Sequence, residues 1–216
     1  KASPSLLEKD PQNRLLARGP RFRLSGELIR DHMLKASGKL SDKMFGPGVF
    51  PPQPLTVLAH AFGNKSWNAS KGEDRYRRSV YTFIKRTAPF AGFMTFDGTS
   101  GENCLAKRDR SNTPLQALTL LNDEMFLELA RAAGSEVHLQ KKDPVLTLFR
   151  RFLTRPPSAE ETQALQSYLD QQIERLEKGE LKPTEIAADK KANPELAGKI
   201  LLARAIMNLD EAITKP

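Results

Sequence analysis

The stretch TPLQALTLLNDEMFLELARAAG, residues 113–134, decides how this 216-residue chain folds. Thr113 is placed to cap a helix, Pro114 takes the first helical position, and Gln116, three after the cap, closes a capping box. Behind this start, Leu115, Leu118, Leu121, Met125, Leu129 and Ala132 recur at spacings of three and four, and Leu120 and Phe126 widen the apolar stripe. The pattern predicts one central core helix that begins at Thr113 and stops near Gly134.

Downstream the same grammar repeats. Asp143 and Pro144 open a helix to about Leu153, with Val145, Phe149 and Phe152 inward. Ser158 and Glu161 form a second capping box after Pro156 and Pro157, and the helix they start runs through Leu165, Leu169, Ile173 and Leu176. Asn193 and Pro194 cap the last helix, whose stripe is Leu196, Ile200, Ala203 and Met207. Between them, Glu177 to Asn193 is charged and expected to be mobile.

Upstream the texture changes near Ser111. Residues 1–110 are punctuated by Gly and Pro, with one good helical pattern from about Leu24 to Leu40: Ser25 as N-cap, then Leu24, Leu28, Met33 or His32, Ala36 and Leu40. Phe45 to Leu55 reads as an extended surface connector. Across Arg75 to Lys85, the run Val80, Tyr81, Thr82, Phe83, Ile84 favours a strand over a helix. Phe90, Phe93, Met94 and Phe96 read as core filling under a long loop. The expected fold is mainly α: one irregular helical domain over 1–216 with long Pro/Gly-rich loops and at most a short strand or hairpin near 76–84. Within it, 1–110 is a loop-rich basic part and 111–216 a helical part. With Lys1 first, the chain is expected to be a fragment of a larger protein.

Charge sharpens this division. The net +8 is made of 20 Lys plus Arg against 10 Asp plus Glu in residues 1–110, and 14 against 16 in residues 111–216. A basic half of this kind can meet nucleic acid, an anionic polymer, phosphate or an acidic partner domain. No window approaches the ~18 consecutive apolar residues of a membrane span.

Chemical motifs are sparse. Cys104 is the single cysteine, so no internal disulfide, multi-cysteine zinc site or C-x-x-C-H haem attachment is possible within the chain. His32, His60 and His138 match no metal-ligand spacing, and neither phosphate loops nor a G-x-S-x-G elbow occur. No cofactor, metal or catalytic residue is therefore expected here, and no reaction of the chain's own. The arginines make the stronger constellation. Arg77, Arg78, Arg86, Arg108 and Arg110 are candidates for binding an anion or a partner. In a strand, Arg75 and Arg77 would share a face and Arg78 the other, so that one arginine lies inside, paired with a carboxylate such as Asp97 or Asp109. Buried ion pairs and a binding surface stand level as explanations.

Taken together, Tyr76 to Tyr81 (Y-R-R-S-V-Y), Lys85 with Arg86, Phe96 with Asp97, Cys104, Lys107 to Arg110, and Thr113 to Asn122 (T-P-L-Q-A-L-T-L-L-N) carry a resemblance. The chain resembles the C-terminal domain of unknown function in multidomain proteins of planctomycetes and verrucomicrobia. Tyr76, Asp97, Cys104, Thr113, Gln116 and Asn122 are its signature positions, read as structural. The flanks NRLLARGPRFRLSGELIRDHML, LFRRFLTRPPSAEE and ARAIMNLDEAI extend the likeness over nearly the whole chain; at its end Ala212 stands where relatives carry an aromatic residue. The resemblance implies upstream domains, among them a planctomycete cytochrome c-like one that would hold any haem, and an extracytoplasmic location at the periplasm or cell surface. The functional expectation is a non-catalytic docking module acting on upstream domains of its own polypeptide. The alternative is binding of a sulfated or uronic polysaccharide as part of a larger enzyme. Nucleic acid is disfavoured, because no stacking aromatics interleave with the basic residues at a recognisable spacing.

Overall fold

The computed structural model describes residues 3–19, 22–58, 66–102 and 104–215, so His60 lies outside the described residues. It is mainly helical, with one two-stranded antiparallel sheet among the described residues. The elements in order are α1 (Pro4–Lys9), β1 (Phe22–Arg23), α2 (Gly26–Ala36), α3 (Ala91–Thr95), α4 (Pro114–Asn122), α5 (Glu124–Gln140), α6 (Pro144–Leu153), α7 (Ala159–Glu177), α8 (Pro183–Ala187), α9 (Pro194–Met207), α10 (Asp210–Ile213) and β2 (Thr214–Lys215).

Every cap read from the sequence is made. Ser25, Thr113, Asp143, Ser158 and Asn193 each accept a hydrogen bond from an amide in the first turn, and Thr113 and Ser158 form complete capping boxes. The helix expected from Thr113 to Gly134, however, is two helices. Asp123 breaks it with an extended backbone, its amide closing α4 onto Thr119 while its carboxylate caps α5 at Met125. A short carboxylate that can hydrogen-bond its own chain competes with the helix here. The break turns Leu115 and Leu118 outward, while Leu120, Met125, Phe126 and Leu129 stay buried. Arg204 on α9 satisfies the freed end of α4, donating from Nε to the Leu121 carbonyl at 2.8 Å and from Nη2 to Asn122 Oδ1 at 3.2 Å.

Gly134 is not a stop. It lies inside α5, which runs to Gln140 and ends on Lys141 in the left-handed region. A Cβ on Gly134 would sit 2.8 Å from the backbone of Ile200 on α9, so a hydrogen is what lets α5 and α9 close together. Around this α5–α9 pair the core gathers Ile29, Met33 and Leu34 from α2, Val145, Leu148, Phe149 and Phe152 from α6, and Leu202 and Ile206 from α9. Residues 177–193, expected to be mobile, instead contain α8. Leu181 and Ile186 pack on Leu176, Ala197 and Leu201, and Arg131 donates to the Ile186 carbonyl at 2.7 Å.

The expected strand over 75–85 is replaced by two 3-10 turns, Gly72–Tyr76 and Ser79–Tyr81, with single parallel bridges between Ser41 and Arg77 and between Val49 and Thr82. The cause is competition for the backbone. Arg30 of α2 takes the carbonyls of Arg75 and Arg77, and Asp31 takes the amide of Ser79, so a regular ladder has lost its groups. The sheet that does form pairs residues 22–23 with residues 214–215: Phe22 pairs with Lys215 and Arg23 with Thr214.

Candidate interaction surface

The Y-R-R-S segment is clamped from below. Arg30 is buried, and its Nη1 donates to the Arg77 carbonyl at 2.7 Å and to Ser79 Oγ at 3.3 Å, while Nη2 reaches the Arg75 carbonyl at 3.1 Å. Burial pushes its guanidinium down to about 10, with Asp31 opposing the shift. Ser79 donates its amide to Asp31 Oδ1 at 2.7 Å. Arg75 spans Glu128, 2.9 Å from Nε, and Glu124, 2.8 Å from Nη2. The Tyr76 hydroxyl donates to the other oxygen of Glu128, and burial followed by that carboxylate pushes its phenol up to about 12.

Arg77 is the buried arginine of the group, with 0% exposure. Its partners are neither Asp97 nor Asp109. Nη1 donates to the Pro47 carbonyl at 3.1 Å, Nη2 to the Phe45 carbonyl, and the guanidinium lies 3.8 Å over the Tyr81 ring. Two backbone carbonyls and an aromatic face thus do what the sequence assigned to a carboxylate. Asp97 holds Arg23 instead, and accepts the Ser111 amide at 2.9 Å and the Ser111 hydroxyl at 2.7 Å. Burial works to raise the Asp97 carboxyl, yet the Ser111 and Arg23 hydrogen bonds outweigh it and hold it below its ordinary value. Ser111 in turn meets the buried Gln116, whose Nε2 also donates to the Thr95 carbonyl at 3.0 Å. Asn122 belongs to the Arg204 contact, and Cys104 is exposed.

The remaining candidate arginines are not brought into one cluster. Arg78 is half exposed with Nε 3.8 Å from Asp31; Arg108 Nη1 grips both oxygens of Glu27 at 2.8 and 2.9 Å; Arg110 lies 5.7 Å over the Phe22 ring; Arg86 is exposed. For an anionic polysaccharide, Arg77 offers no surface and Arg108 is already engaged. Arg30, Arg23 and Glu128 went unrecognised in the sequence. Arg30 had a signal: it stands three residues before Met33 and four before Leu34, on the buried face of α2.

What the clamp carries is an apolar surface. Val49 donates to the Tyr81 carbonyl and Phe83 to the Val49 carbonyl, each at 2.8 Å, laying the 44–50 loop along residues 80–84. Phe45 donates its amide to the Tyr81 hydroxyl at 2.9 Å, and the Phe50 and Phe83 rings stack with centroids 4.8 Å apart. On this joined pair of loops Phe45, Val80 and Ile84 are 79%, 74% and 73% exposed, with Met44 and Phe83 also exposed. Phe45 has φ +61, a backbone region that a bulky side chain rarely adopts, and Arg77 holds it there by its carbonyl. Arg78 and Arg86 border the apolar run on the chain. Among the described residues no group of His, Cys, Asp and Glu is arranged to hold a metal ion, and no helix is long and apolar enough to cross a membrane.

No curated protein and no solved structure matches the chain. A family model does match, over residues 1–169, which takes in the whole arginine clamp, the Asp97–Ser111–Gln116 junction and the capped helix that follows. The chain belongs to that family, PSD1, described as "Protein of unknown function (DUF1553)".

Proposed function

We propose that this chain is a non-catalytic docking module of a larger exported protein that also carries a cytochrome c-like domain, and that it binds a neighbouring domain of that polypeptide. The observation that carries the reading is the set of exposed apolar side chains Met44, Phe45, Val80, Phe83 and Ile84 on two loops that hydrogen bonds hold together. Large apolar side chains gathered on one surface with a charged border are the usual mark of a protein interface. The border here is basic, Arg78 and Arg86 in a half that carries the chain's positive excess, so the partner surface is apolar with carboxylates around it. Export and the cytochrome c-like neighbour rest on the resemblance of residues 76–122.

Size-exclusion and pull-down of this chain with the upstream domain at tens of micromolar test the proposal. Association is expected, and Phe45→Ser combined with Ile84→Ser removes it without changing the circular dichroism. Absence of association, or association that survives both substitutions, refutes the docking role of this surface.

A further inference from the structure

Lys199 lies in the middle of α9 with 10% of its side chain exposed, among Ala197, Ile200, Leu202 and Ala203, all buried. A lysine side chain this largely covered has lost part of its hydration, which calls for compensation. Glu195, one turn earlier, supplies part of it at 2.6 Å from Nζ, and His138 Nδ1 stands 3.4 Å away. These groups open onto a cleft of about 480 Å³ lined by His138, Lys141, Lys142, Asn193, Glu195 and Lys199.

Lys141 and Lys142 taken alone have an ordinary explanation, since they follow the C-terminal end of α5, where cations are favoured. That explanation does not reach Lys199, which comes from a different helix and from a buried position. Nor is the convergence a sample of a generally basic surface, because residues 111–216 hold fewer basic than acidic groups. Lys141, Lys142, Lys199 and His138 line this recess beside the carboxylate of Glu195, and Lys142 also lies within Coulombic reach of Glu136. The Glu195 carboxylate is 57% exposed and is tied to Lys199 through an i, i+4 contact, an arrangement from which it can swing into solvent. Asn193 stays committed as the cap of α9, accepting from the Leu196 amide at 2.8 Å.

We propose that this cleft binds a divalent tetrahedral oxyanion, a phosphate or sulfate group, with Lys199 beneath it and the exposed Lys141 and Lys142 at its edge. The anion replaces Glu195 as the partner of Lys199. The site is independent of the apolar docking surface and stands or falls separately from it.

Titrations of sodium phosphate, sulfate, acetate and chloride at matched ionic strength, followed by calorimetry and by amide NMR shifts, test this. Phosphate or sulfate is expected to shift the amides of residues 141–142 and 195–199 saturably, and a methyl phosphate arm tells a bound ester from a free ion. Lys199→Met, which keeps the buried stem, weakens binding roughly tenfold or more, the value of one charge-assisted hydrogen bond. Glu195→Gln removes the competing carboxylate and strengthens binding several-fold, whereas Lys142→Gln weakens it. Those two positions are exposed, so the test survives if Lys199→Met fails to fold. Non-saturating shifts, acetate binding as tightly as sulfate, or a Glu195→Gln variant that binds more weakly would each overturn the proposal.

Discussion

Replacing Gly134 by alanine should destabilise the protein even though alanine is the better helix former. Gly134 has no positive φ, so its backbone requires no glycine, and at an unconstrained mid-helix position the change would add about 0.5–1 kcal/mol of stability. Against this, the new Cβ would lie 2.8 Å from Cα, Cγ1 and N of Ile200, whereas ordinary contact begins at 3.4 Å. Two of those three atoms are backbone, so relief requires the helices themselves to part by about half an ångström, a gap that forfeits a quarter or more of the dispersion energy across the seam. Overpacking of this kind costs typically about 1–3 kcal/mol. The expected net loss is therefore about 1–2 kcal/mol, which for a chain of this length lowers Tm by roughly 2–8 °C. Urea unfolding monitored by circular dichroism, with an unchanged m-value, reads it directly. A midpoint equal to or above that of the parent would refute the close α5–α9 approach.

Arg77→Met leaves the Phe45 and Pro47 carbonyls without their charged donor; at about 1.5 kcal/mol or more per bond the loss should be roughly 3 kcal/mol in chemical denaturation, and a loss below 1 kcal/mol would deny the keystone role. Phe45→Gly should separate stability from docking: it relieves a left-handed backbone worth about 1–2 kcal/mol, so the variant unfolds at higher urea yet binds its partner more weakly, and a less stable variant would contradict this. Acid should loosen the α6–α7–α10 corner, where Arg155 and the Ser158 amide hold the Glu161 carboxyl down at about 2 from 4.5. A depressed folded value means that the stabilisation is complete above 4.5 and is lost as pH falls towards 2. Glu161→Gln should flatten the stability curve in that window, and an unchanged curve would dismiss the pair.

The helix starts were legible because capping is local: a side-chain oxygen, an amide two or three residues on and a proline at the first position lie within one tetrapeptide. The break at Asp123 was not, since the apolar spacing continues across it and only the carboxylate's choice of Met125 as partner decides the matter. The β1–β2 pair was equally hidden, two residues long and joining positions almost the whole chain apart. At the candidate surface the sequence located the arginines but not their partners. It supplied carboxylates, while Arg30 and Arg77 use backbone carbonyls of residues 45, 47, 75 and 77, groups every residue carries and no composition reveals.

That choice of acceptor explains how a loop-rich half can keep apolar side chains on its outside. Residues 41–50 and 75–84 have two isolated bridges in place of a ladder, so their carbonyls need other donors. A guanidinium presents several donors in a fixed plane and can hold two carbonyls at set angles, a geometry that a lysine's rotating ammonium does not fix. With Arg77 spanning Phe45 and Pro47 from inside, and Arg30 spanning residues 75 and 77 from α2, the loops are fixed by their backbones. Their side chains are then released from making the core, and Phe45, Val80 and Ile84 stand exposed. The positive charge that marks this half in the sequence is thus spent partly inside, as scaffold, and what remains outside at Arg78 and Arg86 leaves the rim of these loops basic.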